Sequence, residues 1–412
     1  MNQKLVEKHI AEADKIINSI QDIDVLMERL LTEARKIAHA DAGSIYEVIN
    51  NKIRIKYSQN DTQRKKLSVG KKLPYQSFSF PLDKSSMAGY SVIENKIINV
   101  SDAYKLGNSH LFKFNPIPDK QSGYKTKSIL TIPLVTEDNT RLGVFQIINA
   151  LDDHGNVIEF TTEMEQYMKK FALFANQALL RARRTKYQIM RQIAMAEMRD
   201  PKETGLHVER VSSCAIEIYD CYACNHNISE LEREKFRDNL KIAAVLHDVG
   251  KVGIPDEVLH YPGRFEGEYS WMRDVINTHA ALGAQLFYPP QDALDTMCLD
   301  VALHHQAKWD GSGYPGKIDM SKVNVNDATT MIGGEPLSGT DIPLSARIVC
   351  LCDVYDALSH KRSYKSAWNE EKVLSIIKAE SGSHFDPELV DCFFKIIDRL
   401  RAINKLFADK DE

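Results

Sequence analysis

A chain of 412 residues is too long for one hydrophobic core and suits two domains. With 43% hydrophobic residues, 27% charged residues and a net charge of -4, it has a globular composition and no global field for a nucleic-acid polymer or an anionic membrane. The opening MNQKLVEKHIAEADKIINSI lacks the apolar run and cleavage site of a signal peptide, and no stretch approaches about 18 uninterrupted apolar residues, so a cytoplasmic location is expected.

Apolar residues at three- and four-residue steps in VLMERLLTEARKIAHA predict an amphipathic helix over residues 25–40. AGSIYEVI (42–49) and NKIRIKYS (51–58) flank an Asn-rich turn and predict a hairpin. SILTIPLVT (128–136) and RLGVFQIINAL (141–151) flank the polar connection EDN and predict another. An antiparallel sheet with a helix before it and a helix after it makes this half α+β. The order resembles a GAF domain over roughly residues 20–180, which implies a sensor or dimerisation module. This half contains no cysteine, so a thiol-linked bilin or a Cys-ligated cluster is excluded there.

From Thr161 to about Arg199 there is no Gly or Pro, and Met164, Met168, Phe171, Ala175 and Ala178 recur at helical steps. A long connecting helix is predicted, its stripe either pairing with a twin in a parallel homodimer or packing within its own domain. The expected domains are residues 1–180, ending in the connecting helix, and 181–412, nearly all helix with loops. The seven cysteines suit free thiols, with Cys221 and Cys224 read as packing residues on a helix.

Candidate chemistry lies in the second half. The run LKIAAVLHDVGKVGIP carries one charge from Leu240 to Leu246 and then meets His247 and Asp248; ionised groups there need partners, and a divalent cation suits both. Asp353 interrupts the apolar helix ARIVCLCDVYDAL, with Asp356 on a neighbouring face. His304 and His305 end a further apolar run and open into a loop bearing Gly311, Gly313 and Tyr314. Glu203 and His207 are spaced four apart on one predicted helical face, and His279 stands in VINTHAALG. The eight candidate ligands, Glu203, His207, His247, Asp248, His279, His304, His305 and Asp353, are N/O donors without thiolate, which favours iron, alternatively manganese, over structural zinc.

HDVGKVGIP (247–255) and HHQAKWDGSGYP (304–315) resemble the HD-GYP domain of bacterial cyclic-di-GMP phosphodiesterases, with agreement from ETGLH (203–207), THAALG (278–283), DVYDAL (353–358) and RSYK (362–365) over about residues 188–400. The resemblance implies a helical fold, two or three divalent metals with Glu203 accompanying the three-metal form, and hydrolysis of cyclic-di-GMP to pGpG and/or GMP. It implies a catalytic set of Lys251, Asp248 and Asp356, with Lys251 stabilising charge or protonating the leaving oxygen. Gly313, Tyr314, Arg362 and Lys365 would bind substrate. A 3′,3′-cGAMP-preferring phosphodiesterase, or a catalytically weak cyclic-dinucleotide receptor or docking protein, is the alternative. Gln306 stands where the family usually has glutamate, and RSYK replaces RPYK. The segment 316–342 is longer than the family's usual connection and is read as a lid or selectivity loop.

Overall fold

In the computed structural model, which describes residues 11, 13, 14, 17–49, 51–66, 79–107, 111–197, 205–360 and 368–408, Asp22 caps the first long helix. Its side chain accepts from the backbone N–H groups of Asp24 and Val25 at 2.8 and 3.0 Å. Helix α1 (Ile23–Ile37) ends earlier than the sequence pattern suggests, because His39 takes φ 47° and turns the chain into a strand at Ala40.

Both predicted hairpins form. β1 (Ala40–Ile49) pairs with β2 (Lys52–Asn60) through a turn in which Asn51 has φ 59°, a conformation that asparagine tolerates. Adding β3 (Ser79–Pro81), β4 (Ile98–Val100), β5 (Ile129–Val135) and β6 (Arg141–Leu151) gives an antiparallel sheet of order β3-β2-β1-β6-β5-β4. The two-residue β7 (Val157–Ile158) pairs with the end of β6. A short helix, Met87–Glu94, covers one sheet face through Ala88 and Val92.

The other face is closed by α1 and by the long helix α2 (Thr162–Glu197). Leu26, Leu30, Ile45, Phe145 and Ile147 share one core with Met168, Phe171, Ala175, Ala178 and Ala182. The stripe expected either to pair with a twin or to pack at home is therefore consumed within its own unit over residues 168–182.

The chain divides into two units, Met1–Lys186 and Tyr187–Glu412. In the second, α3 (Gly205–Asn225) and α4 (Glu230–Val245) pack side by side. Ser229 caps α4 by accepting from Glu232 N–H, while its hydroxyl donates to the Glu232 carboxylate at 2.6 Å. α5 (His279–Gln285), α6 (Ala293–His304) and α7 (Leu344–Ser359) follow, and the Glu370–Ala379, Pro387–Lys395 and Ile397–Leu406 helices close the bundle. The core comprises Val211, Ala215, Tyr219, Leu240, Ala243, Val301, Ile348, Leu351, Tyr355 and Phe393. All seven cysteines are free thiols, and six are buried. Among the described residues no helix is long and apolar enough to cross a membrane.

Candidate metal centre

The apolar run of α4 buries Leu240, Ala243 and Ala244, so the helix ends at core depth and delivers His247 fully buried. A turn of 3-10 helix, Val249–Gly253, follows. A Cβ at Gly250 would lie 1.9 Å from the His279 carbonyl oxygen and 2.4 Å from Gly283 N. The absence of a side chain at Gly250 lets this turn lie directly on α5, which brings His247 and Asp248 to His279.

Four imidazoles are held from behind. Nδ1 of His247 bonds the Ala244 carbonyl at 2.8 Å and that of His279 the Ile276 carbonyl at 2.6 Å. Nδ1 of His305 meets the Val301 and Ala302 carbonyls, both at 3.1 Å. A carbonyl can only accept, so these Nδ1 atoms carry the proton and each Nε2 presents a lone pair. Nδ1 of His207 bonds Asp356 Oδ2 at 2.7 Å, which leaves its Nε2 buried without a hydrogen bond among the described residues.

The four Nε2 atoms converge on two carboxylates. Asp248 is shared: Oδ2 lies 3.3 Å from His247 Nε2, while Oδ1 lies 3.2 Å from His279 Nε2 and 3.4 Å from His305 Nε2. Asp353 Oδ1 stands 3.6 Å from His207 Nε2 and 4.0 Å from His247 Nε2, and the Nε2 atoms of His279 and His305 are 3.3 Å apart. Lone pairs facing lone pairs at these distances repel unless a cation sits among them. Two groups have ligand atoms all within 4.8 Å of one another, His207–His247–Asp248 and Asp248–His279–His305. The donor set fits divalent cations.

Ionisation agrees. Burial opposes the charge on Asp248, but Lys251, His247 and His279 outweigh it and hold the carboxyl well below the usual range. Burial pushes the His305 imidazole down, with Asp248 opposing, which favours the neutral ligand form.

The GAF-domain profile matches residues 22–179, and HD-domain profiles match residues 204–358 and 333–389. The chain carries a GAF domain followed by an HD domain. It is 34% identical over 248 residues to the 3′3′-cGAMP-specific phosphodiesterase 2 of Vibrio cholerae, covering 60% of this chain and 42% of that protein. It is also 34% identical to a cyclic di-GMP phosphodiesterase of the same organism, covering 68% of this chain and 51% of the relative. A cyclic di-GMP phosphodiesterase of Thermotoga maritima is 29% identical, with 53% and 50% covered. The chain spans about half the length of these curated relatives.

Within the HD domain the remaining candidates separate. Lys251 Nζ lies 2.7 Å from Asp248 Oδ2, beside the shared carboxylate. Asp356, expected in the catalytic set, stands behind His207 instead. Arg210 Nε meets its Oδ1 at 2.5 Å, Arg210 Nη2 meets Oδ2 at 3.1 Å, and His360 Nδ1 lies 3.1 Å from Oδ1. Burial works against ionising Asp356, yet His207, His360 and Arg210 hold its carboxyl well below the ordinary range. Both Asp356 oxygens are thus engaged by His207, Arg210 and His360.

His304 joins neither group. It is partly buried, its Nδ1 makes no hydrogen bond among the described residues, and burial, then His305, pushes its imidazole down to about 4.

A Cβ at Gly313 would meet Lys308 N at 2.3 Å and Gln306 O at 2.6 Å, so only glycine fits where the loop folds back. Tyr314 follows with its ring edge-on to that of His279, centroids 6.2 Å apart. Burial and then Asp248 raise the phenol, with Lys251 opposing, so it stays protonated. Glu203, Arg362 and Lys365 lie outside the described residues.

Sequence reasoning missed Arg210 and His360. Arg210 had a usable signal: it lies three residues after His207, on the same helical face.

Proposed function

We propose that this chain is a metal-dependent phosphodiesterase that opens a cyclic dinucleotide second messenger, cyclic-di-GMP foremost, to pGpG and/or GMP. The observation that carries the reading is Asp248, one carboxylate shared by two imidazole groups. His207, His247, Asp248 and Asp353 would hold one divalent cation, and Asp248, His279 and His305 a second. Iron, alternatively manganese, suits this thiolate-free set. His304 and Glu203 are the candidates for a third. Such cations supply Lewis acidity for the diester and acidify an attacking water.

The protein's own groups do the rest. Asp248 stays ionised beside Lys251, whose ammonium lies where it can offset negative charge on the phosphate or give a proton to the departing 3′ oxygen. The Tyr314 phenol remains a donor at neutral pH, and the Gly313 backbone gives the substrate close approach. Arg362 and Lys365 are proposed to pair with the second phosphate. The GAF domain would sense or dimerise, with the exposed Leu173 and Phe174 of α2 as candidate contacts in a homodimer that signals through partner proteins.

Incubating metal-loaded protein with cyclic-di-GMP is expected to release linear pGpG or GMP, and Asp248→Asn to abolish release. Intact substrate after prolonged incubation with the fully metallated chain would refute the reading. Preference for 3′,3′-cGAMP is the second reading, favoured by 34% identity to a phosphodiesterase named for that substrate. Parallel turnover of the two dinucleotides separates them.

A further inference from the structure

The segment 316–342 is built as a clasp. Its entry and exit cross: Lys317 N donates to Glu335 O at 2.8 Å and Gly334 N to Pro315 O at 2.9 Å. The crossing is close enough that a Cβ at Gly316 (φ 82°) would lie 2.5 Å from Glu335 O, and one at Gly334 would lie 2.5 Å from Lys317 O. Beyond the crossing, Met320 and Met331 are buried in one cluster with Ala281 and Ala284 of α5 and Ala302 and Leu303 of α6. α5 begins with His279, and α6 runs into His304 and His305. On the way out Gly339 N donates to Trp309 O at 2.8 Å, and Leu337 and Ile342 pack with Ala307 and with Ala346, two turns before Asp353 on α7.

We infer that residues 316–342 act as a brace that sets the spacing of the three helices delivering His279, His305 and Asp353, with Met320 and Met331 as positioning residues. A lid would open and close over the substrate. This segment instead buries two large side chains against the helices that carry His279 and His305, where their loss would loosen the imidazoles. The inference rests on the metal-centre reading above, and its test reads cation affinity rather than hydrolysis.

The full chain, stripped of metal, is titrated with Mn2+ against a chelating indicator as wild type, Met320→Ala/Met331→Ala, Met320→Leu/Met331→Leu and Val325→Ser. Val325 is exposed in the same segment and serves as the control. The alanine pair is expected to weaken Mn2+ binding about tenfold or more, in the range seen when groups supporting metal ligands are removed. The leucine pair should restore most of the affinity, and Val325→Ser should match wild type. If the alanine pair loses its fold, Met331→Ala alone carries the same comparison. Wild-type Mn2+ affinity in a folded alanine variant would overturn the brace, and a raised KM alongside it would make the segment a lid. Failure of the wild type to bind Mn2+ would overturn the metal centre and the brace together, whereas Mn2+ binding without hydrolysis would refute only the proposed reaction.

Discussion

His207 Nδ1 lies 2.7 Å from Asp356 Oδ2, and the same carboxylate receives Arg210. The pair fixes the tautomer that points His207 Nε2 toward Asp353, while Arg210 keeps Asp356 ionised in a buried place. Removing one partner strands a charge. Asp356→Ala is expected to destabilise the HD domain by about 3–5 kcal/mol and to weaken metal binding, read by chemical denaturation and by metal titration. Wild-type values in both would remove the positioning role.

Lys251 touches the shared carboxylate without belonging to either ligand group. Lys251→Met should therefore retain metal while kcat falls by about 10²-fold or more, with KM changing less. Loss of metal in proportion to activity would instead make Lys251 a support for Asp248.

Gly250 sits where a Cβ would strike the His279 carbonyl. Gly250→Ala must separate the turn bearing Asp248 from α5, at a cost of about 1–3 kcal/mol from overpacking. Metal content after purification should drop with it. A fully metallated variant would show that the close approach is dispensable.

The metal-free protein should lose stability on acidification in two windows. His304 is held near 4 in the folded chain by burial and then by His305. The unfolded chain therefore binds its proton first, and stability declines as pH falls from about 6.5 toward 4. His305, also pushed down, adds to the same slope. Asp248 and Asp356 are depressed carboxyls, so their contribution is present above about 4 and is lost as pH falls through their lower folded values. Urea unfolding of chelator-treated protein across pH 7.5 to 4 measures the first window, and His304→Gln should flatten it in part. A level profile there would contradict the buried neutral imidazoles.

What the sequence could disclose depended on how local the signal was. His247 and Asp248 end one apolar helical run, Asp353 interrupts another and His305 ends a third, so their need for partners was visible before any fold was known. The two hairpins were equally legible, since alternation and Asn-bearing turns act over a few residues. Arg210 and Asp356 meet across 146 positions of chain, which no periodicity encodes. The stripe from Met168 to Ala178 looks the same whether it meets its own sheet or a twin helix, and only tertiary packing chose the sheet. Met320 and Met331 lie in a polar-rich segment whose few apolar residues follow no helical or strand period, so nothing local announced that they reach α5 and α6.

Electron paramagnetic resonance of the Mn2+-loaded chain tests the central claim most directly, because ions bridged by one carboxylate are magnetically coupled. The account predicts at least two Mn2+ per chain with a coupled spectrum, abolished together by Asp248→Asn. Isolated, uncoupled Mn2+ in the wild type, or coupling that survives Asp248→Asn, would contradict it.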